Sequence, residues 1–392
     1  VTEASVAPQP EPNAAAEAGP PLVLCLINEA WFFRSHFLPW ARLARARGFE
    51  VMILATPERE AQAFGDGIAV VASRATRGGI VPPGLWGASG QVVALAASRR
   101  PVILHAFGLH GMAIAALARL RGVRRPLAVS VTGLGFLVSR GAVRRAFGKG
   151  VARMLGAILD GPATRWLVEN SADPAAMGLG NAVEEGRVTV LTGAGVDPSA
   201  FAPAPMPARP PLKLILVARM VRSKGVDLAV AAVARARQAG SDVTLTLVGD
   251  CDGANPAFYS EEDMARFAAT PGVHVLGRRT DIAALLADHH LFILPSRGGE
   301  GLPKALLEAA AASRPAIVTD VPGCRDFVQP GETGYVVAAG AVAALADAIA
   351  AAAQADLPAM GRAARTRVEL TGSVDVVGSQ VVRAYRSLLD LL

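Results

Sequence analysis

The sequence predicts an α/β protein of two domains, each a mostly parallel sheet with helices on both faces, set across a cleft from one another. Three observations carry that reading. Short apolar runs of strand length alternate with stretches of helical apolar spacing along most of the chain, the pattern of strand–helix–strand units. The alternation is interrupted at residues 202–211, where five of ten residues are proline and neither a helix nor a sheet interior is tolerated. A length of 392 residues exceeds what one ordinary core organises. The expected division is a disordered tail at 1–20, a first domain at 21–201, a linker at 202–211, a second domain at 212–372, and a terminal helix at 373–392 packing back on the first domain.

The tail is rich in Ala, Pro and Glu, a composition that cannot bury enough apolar surface to order itself. Leu22 to Ile27 reads as a buried strand, followed by a loop at Asn28 to Ala30 and a helix from His36 to Arg47 closed by Gly48. Glu50 to Ala55 is a second strand, and Val92 to Ser98 has helical spacing. Val102 to Leu104 is a strand ending at His105, Met112 to Leu120 a helix, and Leu127 to Val131 and Val188 to Thr192 are strands. Beyond the linker, Leu212 to Val217, Leu245 to Val248, Gly272 to Leu276 and Ile317 to Thr319 read as strands. Leu228 to Arg237, Asp281 to Asp288 and Ala341 to Ala353 read as helices. The last stretch, 373–391, is amphipathic, with Val377, Val381, Tyr385 and Leu388 on its apolar stripe.

The most informative segment is Leu291 to Glu308, L-F-I-L-P-S-R-G-G-E-G-L-P-K-A-L-L-E. A buried strand ends at Pro295 and Ser296, Gly298 and Gly299 form a tight turn, and a helix follows that tolerates Pro303 only in its first turn. A glycine turn leading into a helix start receives phosphate or another anion, and Glu300 and Glu308, bracketing that start, suit hydroxyl groups. The plainer alternative is a strand–helix unit with a solvated Glu at each end. Arg219 and Lys224, in A-R-M-V-R-S-K-G-V-D at 218–227, sit at another strand-to-helix junction, where cations and amides can meet one diphosphate. In the first half, H-A-F-G-L-H-G at 105–111 and Thr132-Gly133-Leu134-Gly135 lie at strand carboxyl ends, the edge at which open parallel sheets bind ligands. His105 and His36 are polar candidates there; a packed histidine is the alternative for both.

Several classes are disfavoured. No G-x-G-x-x-G follows the first strand of either half, and no phosphate loop or G-x-S-x-G elbow is present. The histidines lack metal-ligand spacing, so no metal site is expected. The three scattered cysteines, Cys25, Cys251 and Cys324, fit a reducing compartment rather than a disulfide framework. No apolar run reaches the length of a membrane span, and residues 1–20 contain no Lys or Arg, unlike a secretory signal. Charge is uneven. Residues 21–200 hold 20 basic and 11 acidic residues, while 201–392 hold 19 of each. The densest basic run is Arg140, Arg144, Arg145, Lys149 and Arg153. It suits an anionic membrane surface or a phosphorylated lipid, with a solvated basic helix face as the alternative. Nucleic acid is not expected, since no recognised binding motif accompanies the run.

Four segments together resemble the retaining nucleotide-sugar glycosyltransferases of family 4, and their ordered combination is specific. They are V-A-R-M-V-R-S-K-G-V-D at 217–227, L-V-G-D at 247–250, L-G-R-R-T-D-I-A-A-L-L-A at 276–287, and the 291–308 segment with its glutamates eight positions apart. The likeness covers roughly residues 211–370. It is looser in the first half, where Thr132-Gly133-Leu134-Gly135-Phe136 and His36 resemble the bacterial polysaccharide and O-antigen subgroup. Two departures stand out: Asn28-Glu29-Ala30-Trp31 replaces a common Gly-Gly loop, and His290 replaces a common Asp.

The resemblance implies a GT-B fold of two Rossmann-like domains and a role for each matching residue. It implies that Arg219 and Lys224 bind the donor diphosphate and that Glu308 holds the ribose. Glu300 and the Gly298, Gly299, Gly301 and Leu302 backbone would cradle sugar and phosphate. Gly249 would also lie at the donor, Arg278 would border the base, and His105 would contact the sugar near the reacting carbon. His36, Gly133 and Gly135 would face the acceptor. It further implies metal-independent transfer with retention, without a cofactor, from a nucleotide sugar, UDP-linked rather than GDP-linked. The acceptor would be a growing cell-surface glycan on a lipid diphosphate. The expected location is cytoplasmic, peripheral to the inner face of the plasma membrane. The alternatives are a transferase with a small soluble acceptor and a non-catalytic sugar-nucleotide-binding protein.

Overall fold

The computed structural model describes residues 19–56, 63–64, 67–75, 82–98, 102–134, 142–251, 253, 257–299 and 301–391. The first sheet comprises β1 (Leu22–Glu29), β2 (Glu50–Thr56), β3 (Ala63–Phe64), β4 (Ile68–Ala72), β5 (Val102–Phe107), β6 (Leu127–Val131), β7 (Thr164–Val168) and β8 (Val188–Val190). Their order is β3-β4-β2-β1-β5-β6-β7-β8, parallel throughout except for the antiparallel edge pair β3–β4. The apolar run of β1 is explained by burial on both faces. Leu22, Leu24 and Leu26 enter one core, under the helices Pro82–Ser98, Gly108–Leu120 and Ala142–Leu159. Val23, Cys25 and Ile27 enter the other, with the helices Ala30–His36, Leu38–Ala46 and Val374–Leu389.

The terminal helix Val374–Leu389 is thus a layer of the first domain. Its Val377, Val381, Tyr385 and Leu388 share a core with Trp40 and Phe49, which accounts for the apolar stripe visible in the sequence. A backbone bridge between Val196 and Ser373 brings the chain back across, and Trp40 Nε1 donates to the Ala194 carbonyl at 2.9 Å.

The second sheet comprises β9 (Leu212–Val217), β10 (Val243–Val248), β11 (Val273–Gly277), β12 (Leu291–Leu294), β13 (Ala316–Thr319) and β14 (Gly334–Val337). Its order is β11-β10-β9-β12-β13-β14, with every pairing parallel. The chain is therefore two parallel-sheet α/β domains, with 202–211 between them in neither helix nor strand. The substituted His290 is structural: its Nδ1 accepts the Lys213 N–H at 2.9 Å, and its Nε2 lies 2.9 Å from the Pro207 carbonyl.

Two local expectations change. β1 runs on to Glu29 and a helix starts at Ala30, so the loop expected at 28–30 does not form. The helix expected at 36–47 is two helices broken at Phe37. Pro39 has no N–H to give to the carbonyl four residues earlier, that of Ser35, so one continuous helix is unfavourable. Among the described residues no single helix is long and apolar enough to cross a membrane.

Candidate functional site

β9 pairs with β12, and the chain proceeds from β9 to β10 on one side while β13 lies on the other. Loops diverge at such a switch point and leave a crevice beyond the strand carboxyl ends. The two loops concerned are residues 218–225 and 295–303, and they interlock. Gly225, at φ 69°, lies so close to Pro295 that a Cβ would meet its carbonyl oxygen at 2.0 Å. The Arg297 N–H donates to the Ser223 carbonyl at 2.7 Å, and Ser296 Oγ donates to the same oxygen at 3.2 Å. The Arg297 guanidinium donates to the Arg222 carbonyl at 2.8 Å and to both Asp227 oxygens at 2.7 Å. The Tyr259 hydroxyl donates to the same carboxylate. Burial opposes charge on Asp227, but the bonds from Arg297 and Tyr259 outweigh it and hold this carboxyl below its usual range. The loop bearing Arg219 and Lys224 is thereby fixed against the glycine turn, where Gly298 and Gly299 adopt φ of 116° and 79°.

The cations of this crevice face the first domain. Lys304, at the start of the helix Lys304–Ala311, donates from Nζ to the Ser35 carbonyl at 2.6 Å. That carbonyl is the one Pro39 cannot satisfy. His36, next in the chain, is pushed down to about 4 by burial and by the nearby positive charges of Lys304, Lys224 and Arg219, against the Phe32 carbonyl. Its imidazole is neutral at pH 7. Glu308 lies one turn beyond Lys304, 3.7 Å from its Nζ with a side chain 16 % exposed. Burial raises its carboxyl above the usual range, with Lys304 opposing.

His105 is not a site residue in this structure. Its ring is fully buried, with Nδ1 2.6 Å from the Tyr385 hydroxyl and Nε2 2.7 Å from Ser130 Oγ. Burial pushes it down to about 3. Both nitrogens are occupied inside the first domain, so neither reaches a sugar. Leu302 also departs from expectation: its N–H donates to Glu169 Oε2 at 3.1 Å and is not offered to a phosphate. Gly301 is packed there, since a Cβ would meet Glu169 Oε2 at 2.0 Å. Gly249 has a packing reason of its own, because a Cβ would lie 1.7 Å from the Ala218 carbonyl oxygen.

Arg278 stands at the end of β11 with its side chain 78 % exposed, 3.9 Å from Asp250. Gly133, at φ 101°, lies in the loop after β6. Lys149 and Arg153 are exposed on the helix Ala142–Leu159. Glu300, Gly135, Arg140 and the side chains of Arg144 and Arg145 lie outside the described residues. Among the described residues no three His, Cys, Asp or Glu side chains are grouped to hold a metal ion.

Three residues that sequence reasoning left without a role help build this site: Glu169, Arg297 and Lys304. Lys304 alone left a trace, since a proline four residues after Ser35 announces a carbonyl in need of a donor.

Residues 211–355 match the family described as glycosyl transferases group 1, and residues 23–157 match glycosyl transferase 4-like. A capsular polysaccharide biosynthesis glycosyltransferase, CapM of Staphylococcus aureus, is 26% identical over 175 residues, 44% of this chain and 45% of CapM. N,N'-diacetylbacillosaminyl-diphospho-undecaprenol alpha-1,3-N-acetylgalactosaminyltransferase of Campylobacter jejuni is 33% identical over 121 residues, 31% of this chain and 30% of that protein. The chain thus spans half or less of the length of these curated relatives. Among solved structures, sucrose-phosphate synthase of Thermosynechococcus elongatus superposes with a TM-score of 0.76 at 20% identity, over 95% of this chain and 100% of that one. HepE of Anabaena, in complex with UDP and glucose, superposes with a TM-score of 0.71 at 18% identity, over 93% and 99%. Both share the two-domain GT-B architecture.

Proposed function

Because this chain belongs to the group 1 and 4-like glycosyl transferases and has the GT-B fold, we propose that it is a retaining transferase for bacterial cell-surface polysaccharide. It takes a sugar from a UDP-linked donor, without a metal, and passes it to a glycan on a lipid diphosphate. One arrangement carries the reading: the loop bearing Arg219 and Lys224 is locked against the glycine turn through Arg297, while Lys304 reaches the first domain at Ser35 with the half-buried Glu308 3.7 Å behind it.

The chemistry follows from that arrangement. Breaking a sugar–diphosphate bond develops positive character at the anomeric carbon and negative charge on the departing diphosphate. Fixed cations that strengthen their hold as this charge grows stabilise the transition state more than the ground state. Arg219 and Lys224 supply the charge and Glu308 accepts ribose hydroxyls. His36, whose Nδ1 lies 2.5 Å from Ser35 Oγ, would meet the acceptor through Nε2. Glu300 and the Gly298–Gly299 turn attend the sugar, and Arg278 borders the base. The diphosphate removes the acceptor proton on the face it leaves. UDP in the HepE complexes and the lipid diphosphate named in the Campylobacter relative support the donor and acceptor classes. An inner-membrane location, with the basic run at Arg140, Arg144, Arg145, Lys149 and Arg153 toward anionic lipid, suits that acceptor.

The test is donor turnover. Glu308→Ala and Lys224→Ala are each expected to lower it by well over about tenfold while the fold persists. Turnover like the wild type in both variants overturns the assignment. Competition between lipid-linked and soluble acceptors then separates the acceptor classes.

A further inference from the structure

The helices Pro82–Ser98, Gly108–Leu120 and Ala142–Leu159 all cover one face of the first sheet. Between Asp66 and Asp160 the sequence holds 13 Arg and Lys and no Asp or Glu. These three helices and their connections therefore carry positive charge with no negative charge interspersed; the acids of this face, Asp173, Glu184 and Glu185, belong to the neighbouring short helices Asp173–Met177 and Gly180–Glu184 and the turn after them.

The same layer has an apolar groove about 600 Å³ in volume, lined by Pro83, Leu85, Trp86, Leu117, Leu120 and Met154 among other apolar residues. Trp86, Leu120 and Met154 are 52, 68 and 53 % exposed, and Phe147, on the same helix as Met154, is 73 % exposed. Phe147, Val151, Met154 and Ile158 recur at helical spacing and form one stripe. Lys149 and Arg153 are exposed farther round that helix, and Arg124 is exposed beyond Leu120. The groove is braced from within. Arg121 stacks 4.0 Å over the Trp86 ring and donates to the Trp86 carbonyl at 2.8 Å and to Ser89 Oγ at 2.9 Å.

Large apolar side chains gathered on a surface mark an interaction site. Apolar groups beside cations, with no acids among them, are what an anionic lipid interface selects: the rings enter the headgroup–acyl boundary and the cations meet the phosphates. A second copy of this face is a poor partner, because two positive layers repel each other. Nucleic acid would use the cations and leave the apolar groove unfilled.

We propose that this three-helix face seats the protein on an anionic bilayer, with Trp86, Leu120, Phe147 and Met154 inserted. The proposal deepens the lipid-linked-acceptor reading and rests on it for the choice of partner. It assigns the hold on the membrane to an apolar groove, not to the basic run alone.

The experiment is co-sedimentation of the full chain with phosphatidylcholine vesicles, with and without phosphatidylglycerol, alongside donor hydrolysis measured without vesicles. Binding is expected only with phosphatidylglycerol. The Trp86→Ser/Phe147→Ser double variant is expected to partition at least about tenfold more weakly while hydrolysing donor at the wild-type rate. A second measurement needs no destabilising change: brominated lipid should quench wild-type tryptophan emission, and Trp86→Phe should abolish most of that quenching. Undiminished partition of the double variant overturns the proposal, as does quenching that survives Trp86→Phe. Concentration-dependent dimerisation of the wild type, abolished in the double variant and without vesicle binding, overturns it in favour of self-association. Vesicle binding without donor hydrolysis would overturn the transferase reading and leave this surface standing.

Discussion

Replacing Tyr385 by Phe separates a structural His105 from a catalytic one. The substitution keeps the ring and so opens little cavity in the core shared with Phe49 and Trp40. It removes the hydroxyl 2.6 Å from His105 Nδ1 and leaves that nitrogen unpaired in a site with no solvent access. An orphaned buried polar group costs about 1–3 kcal/mol. For a domain of about 150–250 residues each kcal/mol lowers Tm by about 2–4 °C, so a fall of about 2–12 °C is expected. Scanning calorimetry measures the loss, and donor turnover at 20 °C below the new Tm should stay within about twofold of wild type. If Tm holds within about 1 °C while kcat falls more than about tenfold, His105 acts on substrate and its assignment here is wrong.

The other expectations concern the crevice and its pH response. Arg297→Ala removes the bonds to Asp227 and to the Arg222 carbonyl and loosens the 295–303 loop; donor KM should rise about tenfold or more with a smaller change in kcat. Lys304→Met removes the charge that opposes the upward push of burial on Glu308. Its carboxyl then rises further, and donor affinity, titrated by calorimetry, should weaken at a higher pH than in the wild type. Glu169→Ala leaves the buried Leu302 N–H without its acceptor and should cost about 1–3 kcal/mol by urea denaturation, whereas Glu169→Gln, which keeps an acceptor oxygen, should cost less. His36 and His105 are pushed down to about 4 and about 3. The unfolded chain binds those protons below about pH 6.5 and the folded chain does not, so stability is full above that pH. It should fall by up to about 1.4 kcal/mol per pH unit for each histidine on acidification. A urea midpoint unchanged between pH 7 and 5 contradicts this.

Much of the second domain was legible because each signal was local. A four-residue apolar strand, a proline, two glycines and a helix start are all written within 291–308, and the fold places them at the β9–β12 switch point. The terminal helix was legible for the same reason, since its apolar stripe implies a partner surface without naming it. The first domain was harder. The stretch from His36 to Arg47 reads as one helix until Pro39 is weighed, and β7 is only five residues long, with Arg165 interrupting its apolar run. Helix Ala142–Leu159 shows in the sequence chiefly as a basic run; its apolar stripe gains meaning only beside the groove lined by Trp86 and Leu120.

What the sequence determined by itself is the architecture and the chemical types at the donor crevice, because strand–helix alternation, turn residues and cation placement are properties of neighbours along the chain. Which polar groups face the cleft is settled by contacts between distant segments. His105 reads in the sequence as a strand end, yet β5 runs on to Phe107 and Tyr385, 280 positions away, caps its ring. Leu302 belongs to the glycine turn, yet Glu169 from the other domain takes its amide. Lys304 finds its acceptor at Ser35. Each outcome depends on groups far apart in sequence meeting in a buried place, where a polar atom must be paired and its partner is chosen by packing.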